Sequence, residues 1–359
     1  MQRLNRLVTT GVRNEYSDMH ITGGHPVVYR KHGKISFLKK EVFTPREVDE
    51  LAANLLNGRQ KRILRERWSV DFALSVHQIR LRFNVFNSSR GLSIAARFLP
   101  GTIPTLASLN LHPSLLEFCR LRSGLLLICG PTGSGKSTTI AAMVDAINRS
   151  RTEHVVTLED PIEYRYRSLR CFVEQRELGQ HFPSFERGLL DVLRENSDIV
   201  VVGEMREPEV MRLTLNAAES GHLVIASMHA STPEEAVFRI CNSFSMDSQD
   251  MVRHQIASTI RAIVVQHLEY HERSGFRVPA LSILTGSVAA RGAIRESTKL
   301  TQLQSVIEMG RSDGMFTLER YRKEYLATRS DFTPPSINFR PSPETVEDTD
   351  HQSSLINAE

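Results

Sequence analysis

Leu125-Leu-Leu-Ile-Cys129 runs into Gly130-Pro-Thr-Gly-Ser-Gly-Lys-Ser137 and then into Thr138-Thr-Ile-Ala-Ala-Met-Val-Asp-Ala-Ile147. An apolar run of strand length, a match to G-x-x-x-x-G-K-[ST] and a helical pattern follow one another without a gap, which is the order a phosphate-binding loop requires. Glycines let backbone N–H groups curl round phosphate oxygens, and the start of the following helix adds unpaired amides and partial positive charge. Gly130, Pro131, Thr132, Gly133, Ser134, Gly135, Lys136, Ser137 and Thr138 are therefore the expected nucleotide contacts. Lys136 is placed to reach the β/γ-phosphates and the Ser137 hydroxyl to ligate Mg2+.

Downstream, short apolar runs at Val155-Leu158, Ile199-Val202 and Leu223-Ala226 alternate with helix-length segments. This pattern predicts a parallel sheet with crossover helices, an α/β domain over 113–329. Ligands of such sheets bind at the carboxyl ends of the strands. Glu159, Asp160 and Glu163 follow one run and Glu204 another, so all four carboxylates are expected to face the phosphates. Hydrolysis needs such groups, one on the metal side, for which Glu204 is favoured, and one for the attacking water, for which Glu163 is favoured. His222 and His229 bracket the Leu223-Met228 strand. Seven extended residues span roughly 23 Å, so the two histidines of one subunit cannot share a metal. His229, at the carboxyl end, is placed to sense the γ-phosphate; His222, at the opposite edge, reads from the residues alone as a turn histidine.

Upstream, Ile79-Arg-Leu-Arg-Phe-Asn-Val-Phe86 alternates with period two, which sets Arg80, Arg82 and Asn84 on one strand face. Residues 1–98 read as a small α+β domain, and the Pro-punctuated 99–112 as a linker. Phosphoryl transfer calls for cations beyond the P-loop lysine, often from another domain or subunit, and Arg80, Arg82 and Arg97 are candidates. Residues 330–359 carry Pro334, Pro335, Pro341 and Pro343, then Glu344, Glu347, Asp348 and Asp350, and are expected to be a disordered tail.

Composition limits the partners. The 359 residues hold 45 Lys+Arg against 41 Asp+Glu, a formal charge of +4 without a dense basic block, and Trp68 is the sole tryptophan. A basic stripe interleaved with aromatics is missing, so no nucleic acid is expected as partner, which sets aside a RecA-type nucleic-acid motor. No Asn is followed by Lys, so the guanine-reading motif of GTPases is absent. Cys119, Cys129, Cys171 and Cys241 show no metal-ligand spacing and read as reduced, buried thiols. The longest uncharged run, Phe98 to Leu116, is broken by three prolines, so no membrane-spanning segment is expected.

The arrangement resembles a known family, the bacterial secretion-superfamily ATPases, and within it the PilT-like pilus retraction branch. The resemblance runs from about Ser17 to Leu326. It rests on Ser17-Asp-Met-His20, Arg82-Phe-Asn-Val-Phe-Asn87, the P-loop, Thr157-Leu-Glu-Asp-Pro-Ile-Glu163, Gly203-Glu-Met-Arg206, Ala218-Glu-Ser-Gly-His222 to His229, and Ala293-Ile-Arg-Glu296. It implies a PAS-like N-terminal domain, a RecA-like ATPase domain with a mainly parallel sheet, and a homo-hexamer that binds ATP and Mg2+. The activity implied is ATP hydrolysis driving type IV pilus retraction and twitching motility, on the cytoplasmic side of an inner-membrane platform protein. It assigns Glu163 as general base and Glu204 as the Walker B acid, and makes His222, His229, Arg82 and Arg97 functional residues. Ser227-Met-His-Ala230 stands where the family commonly has Thr-Leu-His-Thr, and Asn196-Ser-Asp198 where it has Asp-Pro-Asp. A sister role in a conjugation, type IVB or type II secretion apparatus is the alternative, and a non-catalytic nucleotide-binding adaptor the remaining one.

Overall fold

The computed structural model describes residues 1–31, 33–336 and 338–340. Two compact units divide the chain. The first holds Met1–Thr102 together with Pro161–Arg167 and the segment from Ser336; the second holds Ile103–Asp160 and Ser168–Pro335.

The first unit is antiparallel. α1 (Gln2–Arg13) precedes β1 (Asp18–Thr22), β2 (His25–Lys31) and β3 (Lys34–Phe43); α2 (Pro45–Leu55) and α3 (Gly58–Arg67) follow, then β4 (Ser69–Val76), β5 (Ile79–Ser88) and β6 (Gly91–Phe98). The sheet order is β3-β2-β1-β6-β5-β4. Local chemistry sets the helix starts: Thr44 with Glu47 and Asn57 with Gln60 form reciprocal capping boxes, and Pro45 occupies the first turn of α2. Ile79, Leu81, Phe83 and Val85 enter a core shared with Leu4, Leu7, Val48 and Leu51, while Arg82 and Asn84 stay half-buried on the other face. Arg80, expected beside them, is buried, and its guanidinium donates to the Ile162 carbonyl at 3.5 Å.

The second unit opens with α4 (Ser114–Phe118), β7 (Gly124–Cys129), α5 (Lys136–Ser150), β8 (His154–Glu159), β9 (Phe172–Glu177) and α6 (Phe185–Val192). It continues through β10 (Ile199–Val202), α7 (Pro208–Glu219), β11 (Leu223–Met228), α8 (Pro233–Asn242) and α9 (Met246–Thr259), and then through β12 (Ile260–His271), β13 (Phe276–Thr285), α10 (Val288–Arg295) and α11 (Leu303–Met309). The order β13-β12-β7-β11-β10-β8-β9 is parallel except for the β12–β13 hairpin. Every residue of β7, β10 and β11 is buried, as strands covered on both faces must be. The expected fold class, an α+β unit followed by a mainly parallel α/β unit, is the one found. The sequence pattern did not separate β9 or the β12–β13 hairpin, and α5 begins two residues before the helical pattern anticipated, because Lys136 and Ser137 form its first turn.

The segment read as a linker is packed at several points: Leu99, Leu106 and Leu111 are buried, and residues from 103 onward group with the second unit. Order also extends past residue 330, correcting the expected disorder there. The Thr333 N–H donates to the Asn110 side chain at 2.8 Å, whose amide returns a bond to the Thr333 carbonyl at 2.8 Å. Phe339 is 5% exposed against Phe98, and the Gly101 N–H donates to the Asn338 carbonyl at 2.7 Å. The rest of the expected tail, 341–359, lies outside the described residues. All four cysteines are buried and unpaired. Among the described residues no helix is long and apolar enough to cross a membrane.

Candidate phosphate-binding site

Three adjacent strands of the second unit, β7, β11 and β10, deliver the P-loop, His229 and Glu204 to one edge. The loop turns at Gly130, Gly133 and Gly135, all at positive φ (+142°, +79° and +89°), a region that side chains with a Cβ rarely enter. Gly135 caps α5 without a side-chain hydrogen bond, so the donors at the helix start remain for a ligand. Lys136 Nζ meanwhile donates to the carbonyls of Gly130 at 2.8 Å and Pro131 at 3.0 Å. Burial pulls its ammonium pKa down, and the nearby Glu204 carboxylate opposes that shift. A partly desolvated cation of this kind gains most from an arriving anion.

Glu204 is held from two sides. Arg206 donates to its Oε2 at 2.6 Å, and His229 Nε2 lies 3.1 Å from Oε1. The Glu204 carboxylate is the leading cause of a raised Arg206 pKa, to which Asp160 adds a smaller electrostatic contribution. The backbone beneath is pinned by the Ser227 hydroxyl donating to the Gly203 carbonyl and by the Met205 N–H donating to the Ser227 carbonyl at 2.9 Å. The Ser227 hydroxyl and carbonyl thus tie the residues after β10 to β11. Glu159, at the end of β8, accepts from the Thr157 hydroxyl at 2.7 Å and from Gln175 at 2.9 Å.

Glu163, Arg82 and Arg97 belong to the other unit, and His222 belongs to the opposite edge of the sheet. Glu163, expected at the strand ends beside Glu159, Asp160 and Glu204, lies in Pro161–Arg167 and groups with the first unit, half-buried between the buried Ile162 and Tyr164. Arg82 and Arg97, also in that unit, are direct cross-strand partners on β5 and β6. Each is balanced by its own acid, Arg82 by Asp71 at 3.5 Å and Arg97 by Asp18 at 2.9 Å. Two like charges held side by side are costly unless an anion or neighbouring acids compensate. His222 stays at the amino edge of the parallel sheet, where its Nδ1 lies 3.1 Å from both the Ser220 hydroxyl and the Ala217 carbonyl. It lines an open cavity of about 780 Å3 with Arg120, Arg122, Arg151, Glu153 and Asp198. Sequence reading gave Gln266, Thr139, Ser227 and Arg206 no part in the site. A polar residue interrupting the apolar run Ala262–Val265 was the available signal for Gln266.

Comparison with known proteins shows the family. The family described as type II/IV secretion system protein matches residues 2–289. A protein of Escherichia coli K12, YggR, is 39% identical over 88% of this chain and 96% of its own length. The type IV pilus retraction ATPase PilT of Pseudomonas aeruginosa is 34% identical over 90% of this chain and 94% of its own length. Among solved structures, the pilus retraction motor PilT with bound ADP superposes with a TM-score of 0.80 at 35% identity, covering 89% of this chain and 96% of that one.

Proposed function

The chain belongs to the type II/IV secretion system protein family, and from that membership and the geometry at the carboxyl edge of its parallel sheet we infer that it is a PilT-like ATPase whose hydrolysis of ATP drives retraction of a type IV pilus. The observation that carries this reading is the P-loop with a desolvated Lys136 beside Glu204, itself oriented by Arg206 and His229. The ATP phosphates would lie along the backbone N–H groups of the loop, to which Pro131 contributes none, and Lys136 would exchange two neutral carbonyls for phosphate oxygens.

Ser137 and Glu204 are hard oxygen donors of the kind Mg2+ accepts, with phosphate oxygens and water completing its shell. The Arg206 side chain is 72% exposed while that of Glu204 is 21% exposed, so Arg206 is the partner with room to move aside and Glu204 the one fixed where it would hold Mg2+. When bound, Mg2+ neutralises charge on the β- and γ-phosphates. Glu163 takes a proton from water as that water's oxygen bonds to the γ-phosphorus and the bond to the ADP oxygen breaks, leaving ADP and phosphate. Arg82 and Arg97 give up Asp71 and Asp18 to contact the phosphates of their own or a neighbouring subunit, and Glu159 and Asp160 complete the acidic box. Six subunits form the ring, which works on the cytoplasmic side of an inner-membrane platform protein. Those roles rest on the family's motifs, which these residues match.

Deleting the gene in its native host and counting surface pili, with surface motility scored alongside, tests the machine. Excess pili with lost motility are expected. Unchanged pili with impaired DNA transfer or protein export would move the same ATPase to a conjugation or secretion apparatus.

A further inference from the structure

On β12, Gln266 interrupts an apolar run and is 3% exposed. Val265 pairs with Cys129, so Gln266 stands on β12 at the level where the P-loop leaves β7. Its amide touches both the loop and the helix that follows it: Nε2 donates to the Ser134 carbonyl at 2.6 Å, and Oε1 accepts from the Thr139 hydroxyl at 2.8 Å. A carbonyl only accepts, so Nε2 must face Ser134, and the hydroxyl then has to donate. The glycines answer to the same residue. A Cβ on Gly130 would collide with the Gln266 carbonyl oxygen, and one on Gly135 would sit 2.9 Å from Nε2.

We propose that Gln266 is the positioning residue of the P-loop, fixing the peptide between Ser134 and Gly135 in the orientation that binds nucleotide phosphate; this rests on the ATPase reading above. The reason lies in peptide geometry. In a planar trans peptide the C=O and N–H point in opposite directions, so holding the Ser134 carbonyl toward β12 aims the Gly135 N–H away from it. Released, that peptide can rotate, presenting a carbonyl dipole to the phosphates where a donor is needed. Gln266 acts through the loop and not on the phosphate, and the accept-only Ser134 carbonyl keeps its amide from flipping.

The test uses Gln266→Glu in the full-length protein, with fluorescent ADP titrations, steady-state ATPase kinetics and thermal unfolding. An ionised carboxylate sets an acceptor against the Ser134 carbonyl. At pH 8 the ADP Kd and ATP KM are expected to rise together by about tenfold, with kcat changed less than threefold, as loss of uniform binding requires. Burial raises a carboxyl pKa, and the protonated acid can donate to Ser134, so ADP affinity of this variant should recover as pH falls from 8 to 6. A merely structural role would not restore affinity in that direction. If Gln266→Glu does not fold, Gln266→Met, which makes neither hydrogen bond, carries the same expectation without the pH recovery, and Thr139→Val a smaller loss of the same kind. Variants that bind ADP as tightly as the unaltered protein overturn the inference. Failure of the unaltered protein to bind ADP overturns the ATPase reading, and this inference with it.

Discussion

His229 and His222 close the two ends of β11, and they end in different company. At the carboxyl end His229 meets Glu204, which stands beside Lys136 and a glycine loop at a helix start. At the amino end His222 meets a serine and the last turn of α7, among arginines spent on chain ends: Arg151 donates to the carbonyls of Cys119 at 2.8 Å and Leu121 at 2.6 Å and pairs with Glu153 at 2.6 Å. Both edges are rich in charge, but crossover connections bring helix starts to one and helix ends to the other. Unpaired N–H groups draw anions, whereas unpaired carbonyls draw arginine side chains. One sheet therefore binds at one edge and caps itself at the other.

The strongest challenge to that contrast is Lys136→Ala, which should cut hydrolysis on the order of a thousandfold or more by removing the γ-phosphate's main cation. Measured in the same ATPase assay, Glu163→Gln should retain ATP binding and lose turnover. A Glu163→Gln protein that hydrolyses at the unaltered rate would remove it as the base.

A sharper comparison uses the histidines themselves. Because His229 lies against Glu204, the acid proposed for the metal side, His229→Ala should lower kcat about 10–100-fold. His222→Ala, at the edge away from the P-loop of its own subunit, should lower kcat by less than His229→Ala does. Equal losses in steady-state assays would erase the distinction between the two edges.

Arg151→Ala should cost stability with little change in kcat per folded molecule. Charge-assisted hydrogen bonds contribute about 1.5–3 kcal/mol each, so urea unfolding should shift to lower midpoint. An unchanged midpoint would mean the amino edge is not held in this way.

The smallest effect is expected on removing residues 341–359, which should leave melting temperature and ATPase rate nearly unaltered. Phe339→Ala is the contrasting variant: a buried Phe→Ala change costs about 3–5 kcal/mol, visible in the same melts. A large loss from the shorter truncation would show that the acidic segment docks.

The P-loop was legible because its strand, turn and helix are consecutive in the chain and each follows from local rules. Glu204 and His229 were legible because each follows directly after an apolar parallel strand. Glu163 follows such a strand too, yet the chain has by then passed Asp160 into the other unit, and strand-end reasoning says nothing about that departure. Arg82 and Arg97 stand fifteen positions apart in the sequence; only the hairpin register makes them neighbours. For Gln266 the separation from Thr139 is 127 residues.

What the sequence determined by itself is therefore everything carried by periodicity and contiguous motif: the two fold classes, the phosphate loop, its lysine, and Glu204 beside it. What the tertiary structure decided is which groups far apart in the chain meet: Gln266 against the loop, His229 on Glu204, the Thr333 backbone against the Asn110 side chain. Local backbone preferences act over a few residues and leave a readable pattern. The partners of a buried amide or carboxylate are set by strand register and packing, where a one-residue slip in a strand would exchange every contact for another.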